Sequence, residues 1–161
     1  MHDQVWQQYQ QWHLVGIKGV AMTALAQCLV DAGKTVTGAD VPADFVTEPL
    51  LRSIGLTTFQ TFTDTIPAST QILVYSAAHQ GPRNAQVVAA AQQHIKCISH
   101  AEALGWLSND KQGIAVCGVG GKSTTSAMIA WILEKTGRQP SYAVGVGGIP
   151  GMAGTGHWNE A

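Results

Sequence analysis

A chain of 161 residues, 45% of them hydrophobic and only 12% charged, holds enough apolar material for a core and too little polarity for disorder. Lys and Arg number 9 against 10 Asp and Glu, a formal net charge of −1, so there is no basic field to draw nucleic acid or an anionic membrane surface in bulk. No apolar run approaches the roughly 20 residues that span a bilayer, and residues 1–12 lack the basic start and apolar core of a secretion signal; the expectation is a cytoplasmic protein that captures any anion locally.

In chain order the pattern alternates strand and helix. Residues 12–16 read as a strand and 20–32 as a helix, with Ala21, Leu25, Cys28 and Leu29 on one face and Gly33 as the stop. A second strand at 35–38 ends at Asp40, and Pro42 forces a loop before a short helix over 48–54 closed by Gly55. A weaker strand near 57–59, a buried strand at 71–76, a helix over 84–94, a strand at 96–99 and a helix over 100–107 complete one unit. After the polar stretch 108–112 the pattern restarts: a strand at 113–117, a glycine-rich turn, a helix over 122–135 and a strand at 142–146. This order predicts an α/β fold, with a Rossmann-like parallel sheet over 1–110 and the start of a P-loop domain over 111–161, too short in strands to close a sheet. Cys28, Cys97 and Cys117 each lie in an apolar segment and are expected as buried thiols. Cys97 and His100 have no second pair to complete a zinc site.

Two strand-to-helix turns carry the chemistry. The first is Gly16-Ile17-Lys18-Gly19-Val20-Ala21-Met22. Free amides and the helix dipole at such a turn favour phosphate, and residues without a large side chain let a pyrophosphate approach and the helix pack on the sheet. Lys18 and Ala21 occupy the second and third glycine places of the dinucleotide fingerprint. An ammonium beside a helix N-terminus is unfavourable unless an anion arrives, so Lys18 is expected beside the pyrophosphate. Asp40 stands at the end of the second strand, where an acidic group roughly 20 residues past the turn accepts hydrogen bonds from ribose hydroxyls. Ser76, Ala77, Ala78 and His79 follow the central strand at its carboxyl end, facing the crevice where ligands bind in open α/β sheets.

The second turn is Gly118-Val119-Gly120-Gly121-Lys122-Ser123-Thr124. Successive amides can wrap phosphate oxygens, Lys122 can set its charge between terminal phosphates, and the Ser123 hydroxyl can join the coordination shell of Mg²⁺. Val116 stands where the strict pattern has its first glycine, so the loop is shorter than the common form.

The segments around these turns, His13 to Thr23 with Val36 to Asp40 and then Gly118 to Thr125, resemble the Mur ligases, the cytoplasmic enzymes that build the peptide stem of peptidoglycan. The Met22-bearing turn and the stretch Ser99-His-Ala-Glu-Ala-Leu104 are most similar to the branches that join L-alanine, or a recycled murein peptide, to UDP-N-acetylmuramate. The resemblance covers residues 12–150. It implies three domains, for the UDP-sugar, for ATP and for the incoming amino acid, of which this chain would hold the first and the start of the second. It implies an ATP-dependent ligase that activates the muramoyl carboxylate as an acyl phosphate for attack by an amine. Residues 16–22 would hold the UDP pyrophosphate, Asp40 the uridine side and residues 76–79 the rim. Residues 118–124 would hold ATP, with Lys122 on the phosphates and Ser123 on Mg²⁺. This chain departs from the family pattern at Lys18 (glycine), at Val119-Gly120 (Thr-His or Thr-Asn) and at Ser123 (threonine). With the amino-acid domain and a second Mg²⁺ ligand outside it, the segment alone is expected not to catalyse ligation. Two further readings are a stand-alone nucleotide-sugar-binding module without catalysis and a nicotinamide-dependent oxidoreductase.

Overall fold

The computed structural model describes residues 5–57, 59–109 and 111–160. Four strands, β1 (Gln11–Val15), β2 (Thr35–Ala39), β3 (Ile72–Tyr75) and β4 (Lys96–Ser99), form one parallel sheet in the order β2-β1-β3-β4. Helices α1 (Val20–Asp31), α2 (Glu48–Ser53), α3 (Ala85–Gln92) and α4 (His100–Ser108) alternate with them, and α5 (Lys122–Lys135), β5 (Tyr142–Ala143) and β6 (Gly156–His157) follow. None of the described helices is long and apolar enough to cross a membrane.

A parallel sheet is covered on both faces, so its central strands carry apolar runs rather than alternating, as β3, Ile-Leu-Val-Tyr, does here. Trp12 and Leu14 of β1, with Ile72, Val74 and Ile98, enter the larger core beneath α1 and α4, where Met22, Leu25, Leu29, Ala103 and Leu107 are buried. Val15 and Leu73 face the other way, onto Val87 and Ala90 of α3. The capping box of α4 is complete: Ser99 Oγ accepts from the Glu102 amide and the Glu102 carboxylate accepts from the Ser99 amide. Asn84 caps α3 through the Gln86 amide.

The buried polar residue on β1 is His13, with no exposed surface. Gln86 Nε2 donates to Thr65 O at 2.9 Å, which leaves its Oε1 to accept from His13 Nε2 at 3.3 Å, while Nδ1 lies 2.8 Å from Thr37 Oγ1. Both ring nitrogens are matched to a neutral imidazole, and burial pushes its pKa down. His100 donates from Nε2 to Ala21 O at 3.1 Å, tying α4 to α1, and burial depresses its pKa too.

Four expectations change. Residues 113–117 form no strand and lie open, with Ile114 68% exposed and Cys117 exposed rather than buried; a strand exists only where neighbouring backbone groups pair with it. The weak strand near 57–59 includes Thr58, outside the described residues, and pairing there reduces to a bridge between Ala39 and Gln60. The strand at 142–146 contracts to β5, whose partner is β6, antiparallel.

The β5-β6 hairpin docks on α1. Gln27, buried, accepts on Oε1 from the Thr155 amide and hydroxyl and from the Gly156 amide at 2.9, 3.1 and 2.9 Å. Cys28 Sγ donates to Tyr142 O, and Asp31 Oδ2 accepts from His157 Nδ1 at 2.6 Å and from the Trp158 amide. Trp158 meets Trp6 edge to face at 5.1 Å. Gly156 lies so close that a Cβ there would stand 1.9 Å from Ala24 O.

Gly156→Ala therefore forces the hairpin off the α1 backbone and should lower the unfolding free energy by about 1–3 kcal/mol, measured by urea denaturation. Because His13 and His100 resist protonation when folded but accept it at the ordinary value near 6.5 when unfolded, the unfolded chain binds more protons below that pH. Unfolding free energy should therefore fall as the pH drops from 6.5 towards the depressed folded values, and a flat profile between neutrality and about pH 5 would contradict the two buried neutral rings.

Candidate functional site

The turn after β1 sits where parallel strands end and α1 begins. Gly16, at φ +85°, lets the chain turn so that its amide and that of Ile17 both donate to Ala39 O, at 2.8 and 3.3 Å. The Ile17 side chain packs over Gly38, where a Cβ would stand 2.5 Å from Ile17 Cδ1. Thr23 Oγ1 closes the turn on Ile17 O at 3.0 Å. Gly19 donates to Gly16 O and caps α1 without a side chain. Among the described residues, no acceptor meets the amides of Val20, Ala21 and Met22, which open the 12-residue helix. Such unsatisfied amides at the positive end of the macrodipole suit an anion.

Asp40 fixes this turn. Its carboxylate, with a fully buried side chain, accepts from the Lys18 amide at 2.7 Å through Oδ2 and from the Val41 amide at 2.8 Å through Oδ1. The group expected to reach ribose is thus engaged with backbone, and His79 Nε2 lies 3.6 Å from Oδ1.

The opposite wall is the segment after β3. Ser76 donates its amide to Val15 O at 3.2 Å. Its Oγ is buried and meets no partner among the described residues, and it stands 2.7 Å from the position of a Cβ on Gly16. Ala77 and Ala78 are exposed. His79 and Gln80 then adopt left-handed backbone at φ +52° and +71°, with Gly81 following at +53°. Side chains held in that region carry local strain of a kind that gathers at functional sites. The His79 ring packs on Phe62 at 4.9 Å. The structure thus brings Gly16, Asp40, Ser76 and His79 together beside the open end of α1.

Lys18 is placed differently from the expectation. Its ammonium donates to Val41 O at 3.2 Å and Ala43 O at 2.9 Å, and pairs with Glu48 Oε1 at 2.9 Å. That contact holds the Glu48 carboxyl below the usual carboxylate range. Thr47 and Glu48, which complete the arrangement, had no signal in the sequence beyond a first-turn acidic residue on a short helix.

The second turn is of another character. Gly118 and Gly121 take φ +146° and +73°, and no acceptor among the described residues meets the amides of residues 118–124, the last three of which open α5. The loop is open to solvent throughout. Lys122 folds back, donating from Nζ to Gly118 O at 2.8 Å. Consecutive bare amides are a concavity that fits phosphate oxygens, and the exposed Ser123 hydroxyl has the hard-oxygen chemistry that Mg²⁺ takes.

Residues 11–112 match the model of the Mur ligase family, catalytic domain. The UDP-N-acetylmuramate–L-alanine ligase of Chlorobium phaeobacteroides (strain BS1) is 40% identical over 133 residues, which covers 83% of this chain and 28% of that protein. The ligase of the same name from Desulfitobacterium hafniense (strain Y51) is 37% identical over 143 residues, 88% of this chain and 31% of that one. Among solved structures, the UDP-N-acetylmuramate-alanine ligase of Thermotoga maritima superposes with TM-score 0.80 at 23% identity, covering 92% of this chain and 34% of that one. The UDP-N-acetylmuramate:L-alanyl-gamma-D-glutamyl-meso-diaminopimelate ligase of Neisseria meningitides superposes with TM-score 0.74 at 26% identity, covering 93% and 47%. The chain thus spans under a third of the length of these two curated relatives.

Asp40→Asn keeps the shape of the clasp but can present an oxygen to only one of its two amides. It should cost about 1–3 kcal/mol of unfolding free energy, and a variant as stable as the wild type in chemical denaturation would remove Asp40 from the role of anchor.

Proposed function

The chain belongs to the Mur ligase family, and from that premise we propose that it supplies the UDP-N-acetylmuramate site and the phosphate loop of a ligase joining L-alanine, or a peptide, to that sugar acid in peptidoglycan precursor synthesis. The observation that carries the reading is the buried, unpartnered Ser76 Oγ standing over Gly16, beside the bare amides of Val20, Ala21 and Met22. A buried hydroxyl with no acceptor or donor costs free energy that a ligand oxygen would recover, and amides at a helix start complement a pyrophosphate.

In this reading Gly16 and Gly19 keep side chains clear of the pyrophosphate, the three amides bind it, and Ser76, Ala77, Ala78 and His79 form the rim. Asp40 acts from beneath, holding the turn and the uridine side in register. At the second turn the amides of residues 118–124 hold ATP, with Lys122 exchanging its bond to Gly118 O for the terminal phosphates and Ser123 meeting Mg²⁺. When bound, MgATP would supply the phosphoryl group that turns the muramoyl carboxylate into an acyl phosphate with ADP as the leaving group, and an amine attacking that carbon would release phosphate. Lacking a side-chain hydroxyl or imidazole at Val119 and Gly120, the loop grips phosphate through backbone dipoles and Lys122. The reaction belongs in the cytoplasm, where both nucleotides are found.

Calorimetric titration with UDP-N-acetylmuramate tests this. The wild type should bind, and Ser76→Ala should weaken binding about tenfold, the worth of one hydrogen bond, with no loss of unfolding free energy since the hydroxyl is unpartnered without ligand. Absence of binding to the UDP-sugar, together with a fluorescence change on adding NADH, would transfer the turn to nicotinamide chemistry.

A further inference from the structure

We propose that Lys18 is a positioning residue: together with Glu48 it staples the segment between β2 and α2 into the wall of the crevice, and its charge is consumed there rather than offered to the ligand. All three polar groups of the residue grip that segment. The amide donates to Asp40, the carbonyl accepts from Thr47 Oγ1, and the ammonium meets Val41 O, Ala43 O and Glu48 Oε1. Of the three donors of an ammonium, two are spent on Val41 O and Ala43 O, and Glu48 Oε1 stands 2.9 Å away as the opposite charge of an ion pair.

The surroundings seal the pair. The Lys18 side chain is 8% exposed and that of Glu48 15%, and the ammonium lies 5.6 and 5.5 Å from the centroids of Phe45 and Phe59, within cation–π range. A charge so enclosed is held by its partners rather than by water, and removing one partner strands the other. Arg52, one turn on, reaches Glu48 Oε2 at 3.3 Å from an exposed position, so Glu48 ties the staple to α2. The segment also meets the chain beyond β5, because a Cβ on Gly147 would stand 2.9 Å from Val46 Cγ1. A glycine at position 18 would leave two carbonyls and a carboxylate gathered around nothing.

The consequence for the site rests on the UDP-sugar reading; the staple itself does not. Lys18→Met, Glu48→Gln and the double variant separate the two. Two amides of the segment are hydrogen-bonded, Val41 to the Asp40 carboxylate and Glu48 to Phe45 O, and their hydrogen exchange without ligand should quicken in each single variant by about 10- to 100-fold, with the β1 and β3 amides protected as in the wild type. UDP-N-acetylmuramate affinity should fall by the same factor in both single variants and no further in the double. Unchanged exchange of the Val41 and Glu48 amides in both single variants overturns the staple. So does weakened binding in Lys18→Met with full or tighter binding in Glu48→Gln, the mark of an ammonium that touches the anion directly. If Lys18→Met fails to fold, the isosteric Glu48→Gln carries both measurements. If the wild type does not bind the UDP-sugar, the functional reading fails while the exchange measurement still decides the staple.

Discussion

A turn that offers bare amides to a ligand cannot spend those amides on its own stability, so something outside it must hold it still. In this chain that task falls to the buried carboxylate of Asp40, which grips the amides on either side of the strand ends, one from Lys18 and one from Val41. The first closes the β1 turn and the second starts the segment leading to α2. One side chain thereby sets the distance between two loops whose residues are far apart in sequence. The turn's remaining free amides, those of Val20 to Met22, then point from a fixed platform, which is what preorganised anion binding requires.

The same helix that opens the site carries a second duty on its outer side. Gln27, Cys28 and Asp31 receive the β5-β6 hairpin with hydrogen bonds spanning over a hundred positions of sequence. Burial beneath the hairpin pushes the Cys28 thiol up to about 12, which suits a packing role and leaves it without thiolate reactivity. With the sheet and α4 on one side and the hairpin on the other, α1 is fixed on most of its circumference. The segment after β5 further touches Val46 of the stapled wall, so the chain that follows the second turn is mechanically connected to the first.

The two glycine-rich turns illustrate how much a sheet contributes. Both place glycine in left-handed or extended backbone before a helix, and both leave amides unsatisfied. The first rests on β1 and β2 and is held by the Asp40 carboxylate, whereas the second follows a described segment that forms no strand and precedes a helix on which Met128, Trp131 and Ile132 lie exposed. Without a neighbouring strand, its lysine turns to the nearest carbonyl.

The order of strands and helices over residues 11–108 and the stops at Gly33 and Gly55 were legible in the chain, because they depend on apolar period and on residues with special backbone freedom. So was the placing of the Gly16 turn and Asp40 at one edge of the sheet, since strand ends in a parallel sheet converge there. What the chain could not disclose was the use each group would be put to. Lys18 reads as a cation at a helix start, yet the carbonyls of Val41 and Ala43 and the carboxylate of Glu48 claim it. The orphaned hydroxyl of Ser76 and the docking of Gly156 against Ala24 are likewise invisible in sequence. Period and turn chemistry act between neighbours along the chain and are written in it. Partner choice among polar groups is settled by which loops the folded sheet brings within hydrogen-bonding distance, and that is a property of the tertiary structure alone.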